Sequence, residues 1–295
     1  MAVVDEVLRV LGVDVVRWEP TRAGDEVSAA NGNWHVWTSD GRYVLRRYHV
    51  LKTPASLDYE ARVLAHVASR GWCVPAPLTA PVEFGGRLWA VTRFVPGQPH
   101  QQETCAHQRE RGVLLARLHA DLRELELGER PGFWPAADLG AMGEFQDWDR
   151  GVERLGVRRP GLADRCARAM GAAQELVRRE GLLELPRLIV HGDFAAWNLH
   201  FDDAGRLAGV IDFDLCHPDS RAWELVIARA KPELIKGYQS AATHPLTDQE
   251  LAAIGPLQVV YRVLMVMAEL WSGQQGGRFD AGAITRHLSA VEGRS

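Results

Sequence analysis

The chain has 295 residues, 46% of them hydrophobic and 24% charged, enough apolar side chain for one large core or two modest ones. A formal net charge of −4 gives no basic footprint for a nucleic-acid partner. The four cysteines (Cys73, Cys105, Cys166 and Cys216) are widely spaced with no C-x-x-C, which predicts free thiols rather than disulfides or a zinc site.

The opening stretch MAVVDEVLRVLGV has acids where a signal peptide needs basic residues. No run of apolar residues nears the ~20 of a membrane span, so no membrane association is expected. A cytoplasmic protein with access to nucleoside triphosphate follows as the expectation.

In chain order, the first third reads as strands. Residues 26–30, 34–38 and 43–48 are β-type runs, punctuated by Asn31-Gly32-Asn33 and Ser39-Asp40-Gly41. Thr53-Pro54 opens a helix whose stripe is Leu57, Ala61, Leu64 and Ala68, with Glu60 beside it. Pro75, Pro77 and Pro81 break the helical pattern. Leu88 to Thr92 is a further strand, and Val95-Pro96-Gly97-Gln98-Pro99 a linker.

Beyond residue 100 the pattern is mostly helical. Leu115, Leu118 and Leu122 mark one helix and residues 163–180 another. Thr247-x-x-Glu250 is a capping box, and Leu257 to Trp271 a core helix shorter than a membrane span. The expectation is an α+β, bilobal chain. Residues 1–96 form a small β-rich lobe, and residues 97–295 a larger, mostly helical one. A ligand is expected in the cleft between lobes.

One segment carries the chemistry. His191-Gly192-Asp193-Phe194-Ala195-Ala196-Trp197-Asn198 precedes Ile211-Asp212-Phe213-Asp214. Leu199 and Phe201 alternate with polar neighbours, Asp202 to Arg206 is a turn cluster, and Leu207 to Ile211 is apolar. A hairpin closing on that turn sets Asn198 and Asp212 at its open end, with Asp193 in the loop before it. Phosphoryl transfer needs a base for the acceptor hydroxyl and oxygen ligands for magnesium. Asp193 fits the first role, Asn198 and Asp212 the second. Asp214 is open between metal contact and a supporting role. His191 reads as a structural histidine that orients the loop.

These residues resemble the Brenner-type motif of aminoglycoside phosphotransferases and their relatives, among them choline, homoserine, methylthioribose and fructosamine kinases. The resemblance extends over most of the chain. Tyr43-Val44-Leu45-Arg46 matches the strand with the phosphate-binding cation, and Glu60 the helix glutamate that pairs with it. Phe94-Val95-Pro96-Gly97 matches the segment after the hinge, and Leu114 to His119 a helix with a Leu-His end.

The resemblance implies a protein-kinase-like fold and a small-molecule kinase. It would use Mg2+ and ATP (or GTP) to phosphorylate a hydroxyl of a small acceptor. The base of the nucleotide would lie on backbone from Arg93 to Val95, and Asn33 and Arg46 would contact phosphate. Arginine at position 46, where the family often has lysine, keeps the charge but changes its geometry.

The helix expected at 220–230 is reached within eight residues of Asp212, too short a span for a peptide-positioning activation segment, so a small-molecule acceptor is expected. Acceptor candidates are the stretch Glu144 to Asp149, Glu224, Glu269 and Trp271. The alternative is a kinase-shaped binding or structural protein without turnover.

Overall fold

The computed structural model describes residues 2–21, 31–276 and 278–293; the strand expected over 26–30 lies outside them. The chain divides into two compact units. One holds residues 1–104, 121–132 and 193–216, the other residues 105–120, 133–192 and 217–295.

In the first unit, helix α1 (Ala2–Val10) is followed by strands β1 (Arg17–Pro20), β2 (Gly32–Trp37) and β3 (Arg42–Arg47). Helix α2 (Pro54–Ser69) and strands β4 (Val82–Phe84) and β5 (Arg87–Arg93) complete its N-terminal part. The five strands make one antiparallel sheet in the order β1-β2-β3-β5-β4. Trp34 pairs with Leu45 and Leu45 with Val91 on one face. That face packs on Val4, Val7 and Leu8, the i, i+3, i+4 stripe of α1.

The other face carries Asn33, Arg46 and Ala90, also in register. Side chains alternate along a strand, so burying Leu45 under α1 necessarily turns Arg46 to the opposite side. A slip of one residue would drive the charge into the apolar layer under α1.

Helix α2 begins where Thr53 accepts the Ser56 amide at 3.2 Å and Pro54 needs no donor. Its buried face is Leu57, Glu60, Val63, Leu64 and Val67. Glu60, beside the apolar stripe, faces inward as expected. Gly85 and Gly86, both at positive φ, turn the chain tightly between β4 and β5.

The expected hairpin forms from β7 (Leu199–Phe201) and β8 (Leu207–Val210). Asp202 ties its turn by accepting the amides of Ala204 and Arg206 at 3.0 and 2.9 Å. The linker docks on it: Gln98 and Phe201 exchange backbone hydrogen bonds at 3.1 and 2.9 Å.

The second unit contains most of α3 (Cys105–Leu122), then α4 (Leu139–Phe145), α5 (Trp148–Gly156), α6 (Pro160–Arg179) and β6 (Arg187–Val190). It continues through β9 (His217–Ser220), α7 (Arg221–Ile227), α8 (Pro232–Ala241), α9 (Asp248–Gly276) and α10 (Ala281–Glu292). Strands β6 and β9 pair antiparallel. Ser220 caps α7 by accepting the Trp223 amide at 3.1 Å.

The core helix expected over 257–271 is longer than the sequence suggested. With 29 residues, α9 is long and apolar enough to cross a membrane by length and composition, which corrects the expectation that no segment comes near. Its Leu257, Val260, Val263, Met267 and Leu270 pack with Cys166, Ala173, Trp223, Ile284 and Leu288 in the core of this unit. Core packing accounts for its apolarity. The capping box forms reciprocally between Thr247 and Glu250, and Glu250 also holds the buried Arg221 guanidinium through two bonds of 2.8 and 2.6 Å.

Candidate active site

Asp193, Asn198, Asp212, Arg46, Glu60, Asn33, Arg93 and Val95 all belong to the first unit. A 3-10 turn, Ala196–Asn198, links the Asp193 loop to the hairpin. Asn198 is buried, and its Nδ2 donates to the Asp193 backbone oxygen at 2.8 Å and to Asp193 Oδ2 at 2.9 Å. Both acceptors require the amide nitrogen, so the Asn198 Oδ1 is the atom turned elsewhere. Its backbone oxygen accepts the Ile211 amide at 2.9 Å, which sets Asp212 beside it across the open hairpin end. Asp193 is half-buried, held in place yet reachable.

Asp212 takes φ 68° and ψ 56°, the left-handed region, and opens a second 3-10 turn, Phe213–Leu215. Its side chain is 43% exposed. Asp214, two residues on, is buried. The same Arg46 atom, Nη2, lies 3.2 Å from Asp212 Oδ1 and 2.8 Å from Asp214 Oδ2. A single nitrogen that reaches both carboxylates marks a point where a cation is stabilised. Burial works against the Arg46 charge, but Asp214, Glu60 and Asp212 outweigh it and raise its pKa. For Asp214, burial opposes ionisation, yet Arg46, Lys52, the Asn31 amide and Arg130 hold the carboxyl below its ordinary value. Asn31 donates to Asp214 Oδ2 and accepts the His49 amide at 2.7 Å.

The expected Arg46–Glu60 ion pair is not the one formed. Glu60 pairs with Lys52 at 3.4 Å and Arg130 at 2.9 Å, while Arg46 goes to the two aspartates. Lys52 also donates to the Asp214 backbone oxygen. Arg46 extends from the sheet toward the aspartates, whereas Lys52 follows β3 in the loop before α2 and lies nearer the helix.

Lys52, Arg130 and Asn31 therefore belong to the constellation, and sequence reasoning missed all three. Lys52 stands only six residues past Arg46, a further visible cation beyond Arg47. Arg130 lies in a loop without periodic neighbours and gives no local signal. Asn33 is the cross-strand partner of Arg46 and shares its face. Arg93 ends β5 exposed, and its amide donates to the Ala76 oxygen at 2.9 Å; Val95 is buried two residues on.

In the second unit, Glu224 has no exposed surface. It accepts the Gly192 amide at 3.1 Å and lies 3.8 Å from His119, whose Nδ1 meets the Tyr238 hydroxyl at 2.9 Å. Burial opposes its charge, but the His119 hydrogen bond, the two neighbouring histidines and the Gly192 amide keep its pKa below the ordinary range. Glu224 thus anchors the residue before Asp193 and lines no acceptor pocket, which corrects its candidacy. His191 is fully buried, as expected of a structural histidine. Glu144, Asp147 and Asp149 are exposed, the pattern of a solvated face. All four cysteines are free.

Among the described residues no group of three or more His, Cys, Asp and Glu is arranged to hold a metal. The donors here are one amide oxygen and one or two carboxylates, and the cationic Nη2 already sits between the carboxylates. That set fits magnesium, which takes few protein ligands and fills its shell from phosphate and water.

An antiparallel sheet bearing a buried cation, a buried helix glutamate and a hairpin that gathers an Asp-Asn-Asp set define a kinase-type phosphotransferase arrangement. Residues 24–254 match the model of the phosphotransferase enzyme family, and the chain belongs to that family. A homoserine kinase of Acidiphilium cryptum is 28% identical over 268 residues, which cover 82% of this chain and 78% of the relative.

A microcompartment-associated aminopropanol kinase has a similar fold, with TM-score 0.70, 17% identity and coverage of 100% of this chain and 95% of that one. An aminoglycoside phosphotransferase solved with ADP and hygromycin B gives TM-score 0.67 at 16% identity, covering 100% and 99%. The chain thus has the α+β, protein-kinase-like fold of these neighbours and is a phosphotransferase of that family.

Proposed function

We propose that this protein transfers the γ-phosphoryl group of magnesium-bound ATP, or GTP, to the hydroxyl of a short amino alcohol of the homoserine or aminopropanol kind. Relatives and neighbours of those two names support the acceptor class. The observation that carries the chemistry is the Asn198 side chain. It fixes Asp193 from one amide nitrogen, while its backbone oxygen accepts the Ile211 amide and so brings Asp212 alongside at the hairpin end. A cytosolic location, where nucleotide is abundant, goes with this reading. So does a division of labour in which residues 1–96 bind nucleotide and residues 97–295 carry catalysis and acceptor binding.

Asp193 orients the acceptor hydroxyl and takes its proton. The acceptor oxygen forms its bond to the γ-phosphorus as the bridging P–O bond breaks and its electron pair leaves with the nucleoside diphosphate. Arg46 releases the aspartates and turns its planar fork to phosphate oxygens, where a bidentate contact suits it. Asn33, on the same sheet face, adds an amide donor, and backbone from Arg93 to Val95 meets the base. Asn198 and Asp212 would hold magnesium, which supplies positive charge to the phosphates and the leaving group. Glu60 works through Lys52 and Arg130, holding the first turns of α2 to the segment around Asp214.

A turnover screen with magnesium and ATP or GTP tests this reading across homoserine, 1-amino-2-propanol, ethanolamine, choline and aminoglycosides. Phosphorylation of one of the first three is expected. Turnover confined to aminoglycosides would replace the acceptor class, and no magnesium-dependent turnover with any of them would favour the silent, kinase-shaped alternative.

A further inference from the structure

Arg130 enters this region from the loop between α3 and α4, and it is almost wholly buried. Its guanidinium is bonded on two sides. Toward α2, Nε donates to Ser56 Oγ at 3.1 Å, and Nη2 to the Ser56 backbone oxygen at 3.1 Å and Glu60 Oε2 at 2.9 Å. Toward the residues after Asp212, Nη1 donates to the backbone oxygens of Asp214 at 3.0 Å and Cys216 at 2.7 Å, and to Cys216 Sγ at 3.4 Å. Burial pushes the Cys216 thiol up to about 12, so it stays neutral and offers Arg130 no competing charge. Glu60 supplies the ion pair on the α2 side, and Lys52 shares it.

These bonds reach both ends of the constellation. On one side is the buried glutamate of α2. On the other is the 3-10 turn that begins at Asp212 in the left-handed region and carries Asp214. A residue held at positive φ with a half-exposed carboxylate needs a rigid continuation, and the turn's own backbone hydrogen bond is Cys216 N to Phe213 O at 3.0 Å. Arg130 holds the carbonyls of Asp214 and Cys216, either side of Leu215, and thus fixes the turn from outside.

We infer that Arg130 is a positioning residue for the metal-bearing segment: it locks the Asp212–Asp214 carboxylates in place by bracing their turn against α2. The inference rests on the phosphoryl-transfer reading. Lysine at this position would keep the charge but could not satisfy acceptors on both sides from one planar group.

The test uses the full chain and calorimetric titration with ADP, with and without magnesium. Arg130→Lys is expected to weaken magnesium–ADP binding about tenfold or more, the range for residues that orient metal ligands. Metal-free ADP binding should change less than about twofold, because the contacts with base and sugar are untouched. In Arg130→Ala, guanidinium ion at matched ionic strength should recover part of the magnesium-dependent affinity.

Arg221→Lys, which disturbs the buried Arg221–Glu250 pair, serves as the control for general loosening and should show no magnesium-specific loss. If Arg130→Lys does not fold, Ser56→Ala removes one anchor of the same guanidinium and carries the test, with the same direction and a smaller size. Equal magnesium–ADP affinity in the folded variant and the wild type overturns the inference, as does an equal loss with and without magnesium or the same magnesium-specific loss in Arg221→Lys. If the wild-type protein itself shows no magnesium-dependent ADP binding, the phosphoryl-transfer reading fails before Arg130 is at issue.

Discussion

Asp212 and Asp214 do different work although they stand two residues apart. Asp212 is half-exposed at positive φ, a conformation that costs a non-glycine residue about 1 kcal/mol and persists where the surroundings impose it. Asp214 is buried and answers Arg46 and Lys52. Asp212→Ala should therefore weaken magnesium–nucleotide binding with little loss of stability, read by titration and by melting. Asp214→Asn should instead lower stability by about 3 kcal/mol, because removing one partner leaves buried cations uncompensated; a denaturant titration measures it.

Asp193, Asn198 and Asp212 could be placed together from sequence because they lie in and just beside one local hairpin. The partner of Glu60 could not. Three cations, Arg46, Arg47 and Lys52, stand within seven positions, and which one faces the helix depends on the strand's alternation and on where β3 ends. Arg130, 70 residues from Glu60, meets it through tertiary folding alone.

At the level of elements, hairpin β7–β8 and helix α2 were readable from turn chemistry, capping and period. Helix α1 and strand β4 were not. The helix is a short amphipathic segment whose apolar residues also suit other readings, and the strand has three residues before a Gly-Gly turn. The linker shows why one glycine is required. Gly97 has φ +85°, and a Cβ there would lie 2.6 Å from the Phe201 oxygen. Gly97→Ala should thus loosen the Gln98–Phe201 bridge and cost about 2 kcal/mol through strain and crowding. Thr53→Ala should cost about 1 kcal/mol by removing the cap of α2. Thermal melts of the two variants order these effects, and a Gly97→Ala protein as stable as wild type would contradict the close approach.

Across the whole molecule, acid should destabilise the fold in two stages. Asp214, Glu224 and Glu250 are ionised despite burial, with carboxyls held below ordinary values by neighbouring cations, histidines and donors. Their folded pKa values lie under the unfolded ones. Their contribution is thus complete above about pH 4 and is lost as pH falls through the folded values. Burial also lowers the pKa of His49 and His200. Below about pH 6.5 the unfolded chain takes up those protons first, so the sign is the same. Melting temperature at constant ionic strength should be level from about pH 7 to 8, decline gently below about 6.5 and fall steeply below about 4. A maximum in the acid range would contradict these assignments.

The measurement that bears most directly on the phosphotransferase site compares wild type with Asp193→Asn in steady-state turnover with magnesium–ATP and the accepted amino alcohol, alongside ADP titration of both proteins. Loss of a positioned general base predicts a fall in kcat of about 10²–10⁴-fold with ADP affinity unchanged. Turnover by Asp193→Asn at the wild-type rate would contradict the assignment of Asp193 as the base.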